Sequence, residues 1–184
     1  LPDTNASIAI NDAKDDFTLA WTSTGGDQAV VLSMDDIGAS STPVQATLAG
    51  VEDITVSVSG SNFVEFATAS ATSFTISGSG DLDMDLDAAV TDVSELDASG
   101  MSGDLTSDLS DVGLNKITII SSGGGDDAVT VKATSLKNSA NINLGGGSSD
   151  SVTLGGGAVN FQPTMEGVED VVFAPTGGGL HKFN

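Results

Sequence analysis

Ser122-Gly123-Gly124-Gly125-Asp126-Asp127-Ala128-Val129-Thr130-Val131 is the stretch whose reading decides the fold. Its glycines let the backbone turn sharply and leave carbonyl groups exposed. Two aspartates follow, and carboxylates beside carbonyls suit a hard cation. From Ala128 the chain alternates with β-branched residues, as a strand does. The same succession of turn, acid and strand stands near the start as Gly25-Gly26-Asp27-Gln28-Ala29-Val30-Val31-Leu32. It returns as Gly145-Gly146-Gly147-Ser148-Ser149-Asp150-Ser151-Val152-Thr153-Leu154. A unit of this kind, repeated along a chain, predicts a solenoid.

The spacing gives the size of the coil. Asp127 and Asp150 hold equivalent places in their motifs, 23 residues apart. Gly60, Gly78, Gly100 and Gly123 step by 18, 22 and 23 residues. Gly50-Val51-Glu52-Asp53-Ile54 recurs as Gly167-Val168-Glu169-Asp170-Val171. A period of about 20 residues matches one coil of a parallel β-helix. The expected fold is therefore all-β: a parallel β-helix with coils of about 20–23 residues, calcium-binding Gly/Asp turns and a small N-terminal β region. Its expected parts are an N-terminal β segment at 1–43 (a cap or an assembly contact), a solenoid at 44–175 and a Gly-rich tail at 176–184.

Short alternating runs supply the strands. They are Ser7–Ile10, Phe17–Trp21 and Ala29–Leu32, then Gln45–Leu48, Ile54–Val58, Phe63–Phe66, Ser73–Ser77 and Leu82–Leu86. Lys116–Ile120, Ala128–Lys132, Asn141–Leu144, Ser151–Leu154 and Asp170–Phe173 follow. Asp81-Leu82-Asp83-Met84-Asp85-Leu86-Asp87 alternates strictly, which puts Leu82, Met84 and Leu86 on one face and four aspartates on the other. That acidic face is either solvated, which protects an edge from pairing, or a ladder of cation sites. Val90, Val93 and Leu96, then Leu105, Leu109 and Val112, recur at near-helical spacing, so 90–113 reads as a short helix or as irregular strand. Trp21 is expected as a core or interface anchor.

Composition excludes several partners. The chain has 184 residues, 26 acids against 5 bases, and a net charge of −21. A field of that sign repels nucleic acid and anionic membranes. With 39% hydrophobic residues the chain is too apolar for an acidic disordered segment, and aromatic content of 4% suits a thin core. Without cysteine, stability must come from core, metal or assembly. No apolar run is long enough to span a bilayer. The start at Leu1-Pro2-Asp3 and the end at His181-Lys182-Phe183-Asn184 are expected of a chain whose leader was removed, or of a piece of something longer.

Catalysis has little support. His181 is the one histidine and reads as an exposed tail residue. No G-x-S-x-G elbow is present, and Gly123–Gly125 runs into acids rather than the Lys-Ser/Thr of a phosphate loop. A chain without tyrosine or arginine, and with one tryptophan, makes a poor polysaccharide-cleaving β-helix.

Three successions carry a family resemblance: Thr75-Ile76-Ser77-Gly78-Ser79-Gly80-Asp81-Leu82, Leu96-Asp97-Ala98-Ser99-Gly100-Met101-Ser102-Gly103-Asp104-Leu105, and Ser121-Ser122-Gly123-Gly124-Gly125-Asp126-Asp127. Over residues 44–175 the chain resembles bacterial surface-layer (S-layer) and RTX-type repeat proteins. Ser122 to Thr130 follows the RTX motif G-G-x-G-x-D-x-U-x with Ser122 for its first glycine. Gly145 to Thr153 follows it with Ser148 for its third. The RTX repeat is about nine residues in tandem, whereas these motifs lie 23 apart, so isolated ions at corners are expected rather than a continuous row. The resemblance implies a secreted, self-assembling surface protein stabilised by calcium, with Gly123, Gly125, Asp126, Asp127, Gly146, Asp150, Asp27 and Asp81 as candidate metal-site residues. Its partners would be further copies of itself, in a lattice or filament, and cell-surface polysaccharide. The alternative function is an adhesin or carbohydrate-binding module on a solenoid stalk, and the alternative reading of the motifs is plain glycine-rich turns.

Overall fold

The computed structural model describes residues 6–20, 27–156, 160–161, 163–175 and 182–183. Trp21, Gly25, Gly26 and His181 lie outside the described residues.

The first coil carries β1 (Ala6–Asn11) and β2 (Phe17–Ala20). Then come β3 (Ala29–Asp35) and β4 (Val44–Ala49), β5 (Asp53–Ser59) and β6 (Ser61–Ala67), and β7 (Ser73–Gly78) and β8 (Asp81–Leu86). β9 (Glu95–Met101) and β10 (Leu105–Leu109), β11 (Ile117–Ser121) and β12 (Ala128–Lys132), and β13 (Leu136–Asn143) and β14 (Ser151–Gly156) follow. After β15 (Asn160–Phe161), β16 (Thr164–Glu166) and β17 (Asp170–Pro175) end the stack, and β18 (Lys182–Phe183) pairs with β15 alone.

Two eight-stranded parallel sheets result. The first runs β1-β3-β5-β7-β9-β11-β13-β16, and the second runs β2-β4-β6-β8-β10-β12-β14-β17. Each coil contributes one strand to each sheet, so the molecule is a two-sided parallel β-solenoid. In the first sheet, Val30 pairs with Ile54, Ile54 with Phe74, and Ile120 with Ile142, steps of 24, 20 and 22 residues. These steps hold the expected coil size within a residue, whereas the first step of the second sheet, from Phe17 to Ala46, is longer at 29 residues.

Alternation explains the sidedness. In β8 Leu82, Met84 and Leu86 are buried while Asp81, Asp83 and Asp85 face water. In the second sheet the register carries one inward column through every strand: Phe17, Ala46, Phe66, Leu86, Leu109, Val131, Leu154 and Phe173. Phe66 in this column meets Phe74 of the facing sheet edge-on, with ring centroids 5.1 Å apart. Each inward Leu, Val or Phe gains roughly 1.5–3 kcal/mol from leaving water.

Residues 90–113 contain no helix. Val90, Val93, Leu96, Leu105, Leu109 and Val112 are all buried, but they lie on β9, β10 and the corners beside them. The spacing of three and four arises where a corner inserts residues between inward positions of successive strands. Strands on both sides of residue 43 belong to the same two sheets, with β3 pairing β5 over seven residues. Among the described residues, no helix is long and apolar enough to cross a membrane.

Candidate cation site at an acidic corner

The corners leading from the first sheet into the second stack above one another, and their side chains make two ladders. In the outer ladder each acid accepts a backbone N–H from the following coil. Asp36 Oδ1 takes Ser61 N (3.0 Å), Asp81 Oδ1 takes Asp104 N (3.0 Å), and Asp104 Oδ1 takes Asp126 N (2.8 Å). Asp126 Oδ1 then takes both the N–H (2.8 Å) and the hydroxyl (3.1 Å) of Ser148.

The inner ladder runs the other way, each residue accepting from the coil before it. Asn62 Oδ1 takes Ile37 N (3.2 Å) and Asp127 Oδ1 takes Leu105 N (2.8 Å). Asp150 Oδ1 takes Asp127 N (2.7 Å), and Glu169 Oε2 takes Asp150 N (2.8 Å). A buried backbone N–H without an acceptor costs about 1–3 kcal/mol, so these brackets hold neighbouring coils together where strand pairing stops.

The glycines serve the same stacking. A Cβ on Gly123 would overlap the carbonyl oxygen of Met101 one coil below, and one on Gly145 would overlap that of Gly123. Gly145 has φ +81°, but Gly123, Gly125 and Gly146 are not in the left-handed region. Glycine at 123 and 125 is therefore required by close approach and not, as the turn chemistry suggested, by positive φ. Gly146 stands at an open apex with no atom near its Cβ position.

Asp127 and Asp150 differ from the other acids. They are 1% and 0% exposed, and the Oδ2 atom of each has no hydrogen-bond partner. Burial pushes the Asp127 carboxyl above the usual carboxylate range, helped by the charges of Asp150 and Asp104 and opposed by the Leu105 N–H, while the Ser122 hydroxyl donates to Leu144 O (3.0 Å). Asp126 is the reverse case: its bonds from Ser148 hold its carboxyl below that range.

The expected site residues thus divide. Gly123, Gly125, Asp126, Asp127, Gly146 and Asp150 come together on adjacent coils of one corner. Asp81 belongs to the same outer ladder two coils earlier. Asp27 does not join them: it precedes β3 of the first sheet, on the opposite side of the solenoid. Asp36, Asp104 and Glu169 were missed by the sequence reading, because only the stacking register shows their role.

Among the described residues, no three carboxylate or imidazole side chains converge as a ready-made metal cage. What the corner offers is two buried carboxylate oxygens without hydrogen-bond partners, on adjacent coils. That donor set is all oxygen, as calcium prefers, and falls short of the six to eight ligands calcium takes unless backbone carbonyls and water complete it. No protein-family model, curated protein or solved structure matches the chain.

Proposed function

We propose that the chain is a structural, self-assembling module of an extracellular bacterial surface layer or filament, and that calcium stabilises it at the Asp127–Asp150 corner. One observation carries this reading: Asp127 Oδ2 and Asp150 Oδ2 are buried carboxylate oxygens without partners. A buried, unpaired charge is costly, and a divalent cation between two of them removes that cost. With 26 acids against 5 bases, most acids have no basic side chain to pair with. Lys116 and Lys132 pair with Asp92 and Asp111 at exposed positions elsewhere.

The test is to melt the purified chain with calcium and with excess chelator. Calcium at 100 times its dissociation constant adds about 2.7 kcal/mol per site, so Tm rises by several degrees. The reading is overturned by an unchanged Tm.

A second reading, a carbohydrate-binding or adhesin module, is favoured by one feature. A cleft of about 170 Å³ lies where Phe63 adjoins Asp81, Asp83 and Asp104. An aromatic wall beside carboxylates suits the apolar face and the hydroxyls of a sugar. Glycan-array binding by the monomer would support this reading over the first.

A further inference from the structure

We infer that copies of this chain stack head to tail, the β16/β17 end of one seating on the β1/β2 end of the next. The inference rests on the self-assembly reading above and specifies its surface. Among the described residues, no strand pairs with the outer edges of β1, β2, β16 or β17. A strand edge without a paired neighbouring strand is a template for another strand.

Three observations select a second copy as the occupant. First, the inward column of Phe173 runs back through the stack to Phe17 at the other end. Val171 and Phe173 occupy columns that are fully buried in the coils before them, at Val152 and Leu154, yet they are 38% and 43% exposed. At the opposite end Phe17 and Leu19 are only partly buried against the core. Keeping the register of the existing coils sets Phe173 over the neighbour's Phe17. Only a head-to-tail copy continues both sheets at once in the parallel sense.

Second, charge permits the joint. Down one outward column the residues are Gln45, Glu65, Asp85, Asp108, Thr130, Thr153 and Val172. At the β17 end this column is neutral, so Val172 brings no acid to the joint. The same register that joins Phe173 to Phe17 sets Asp170 opposite the neighbour's Lys14, whose Nζ donates to Asp36 O (2.7 Å) and Gly38 O (3.2 Å) of its own molecule.

Third, the repeated Gly-Val-Glu-Asp segment shows what a following coil does. Glu52 Oε2 accepts from Gln28 N (2.6 Å), and Glu52 N and Asp53 N donate to Gln28 O. Glu169 and Asp170 make the same three bonds to Asp150. The carbonyl of Glu52 then takes the N–H of Thr72 (2.8 Å) and of Ser73 (3.2 Å) from the next coil. Glu169 holds that place on the last coil, where the donors would come from a neighbouring molecule. A contact of this type is heterologous and does not close, so it builds a filament.

Cysteines test the register, since the chain has none of its own. Thr18 and Ala174 are exposed and lie in one outward column, through Thr47 at one end and Gly155 at the other. Stacked copies would bring them to neighbouring-strand distance, about 4.8 Å, within the span a disulfide bridges. The T18C/A174C double variant should give a ladder of dimer, trimer and longer species on oxidation. T18C and A174C mixed as single variants should give dimers only, and each alone should stay uncrosslinked. Crosslinking of either single variant with itself, or a double variant no more crosslinked than the singles, overturns the inference. Sedimentation of the native chain in calcium and in chelator separates the two levels: assembly without the 18–174 crosslink removes only the head-to-tail arrangement, whereas a monomer throughout removes self-assembly as well.

Discussion

The backbone N–H of Asp127 donates to Asp150 Oδ1 over 2.7 Å, across 23 residues of chain. The bond ties one coil to the next at the point where β12 and β14 begin. It also fixes which oxygen of Asp150 is used, leaving Oδ2 buried and unpartnered.

Substitutions at Asp150 separate its two roles. D150A removes the acceptor and should cost about 1–3 kcal/mol even in chelator. D150N keeps an acceptor oxygen and removes the buried charge, so in chelator it should melt close to the native chain or above it. Both should lose the calcium-dependent rise in Tm. Equal melting of D150A and D150N in chelator would show that the bracket to Asp127 contributes nothing.

The glycine run makes a sharper contrast. Gly123 and Gly124 are neighbours in sequence, but a Cβ at 123 would enter the Met101 carbonyl while one at 124 meets nothing within 4 Å. G123A should therefore cost about 1–3 kcal/mol through overpacking. G124A should stay within about 0.5 kcal/mol of the native chain. Chemical denaturation of the two variants side by side checks this, and comparable losses would refute the coil-stacking account of Gly123.

The features that were legible in the sequence are those that depend on near neighbours. Asp81 to Leu86 alternates within one strand, and its burial alternates with it. The equivalence of Asp127 and Asp150 was visible because both follow glycines at one spacing. The rest depends on register between coils, which short-range pattern does not carry. Asp104 follows a glycine as Asp126 does, but its bond to Asp126 N lies 22 residues away. Asp27 copies the motif locally and still lies on the other side, because a turn, an acid and a strand look the same whichever sheet they enter. Val90 to Val112 mimicked a helix because two corners and two short strands happened to space their buried residues by three and four.

Ser107 is a polar residue in an otherwise apolar inward column, between Met84 and Val129. It is 1% exposed and its hydroxyl has no partner. Replacing it with alanine removes the unsatisfied group at the cost of almost no volume. S107A should stabilise the chain by about 1 kcal/mol, read as a higher denaturation midpoint at unchanged slope. A loss of stability would mean that the hydroxyl bonds something in solution.

Asp85 supplies the pH dependence. Its carboxyl is pushed above the ordinary carboxylate value, first by partial desolvation at its outward position and then by repulsion from Asp108, Glu65 and Asp111, against a restraining bond from the Leu86 N–H. Glu65 and Asp108 flank it directly in the outward column of the second sheet. A carboxyl raised in the folded state favours folding while both states are protonated, and that contribution is lost as pH rises through the folded value. Asp85 therefore destabilises the chain at neutral pH and not near pH 3.8 or below. D85N removes the charge and keeps the shape. Measured in chelator, its Tm should exceed that of the native chain at pH 7, and the gap should close as pH falls towards the ordinary carboxylate value of 3.8. A gap that stays constant across that range would assign the gain to the amide's own contacts and refute the electrostatic account.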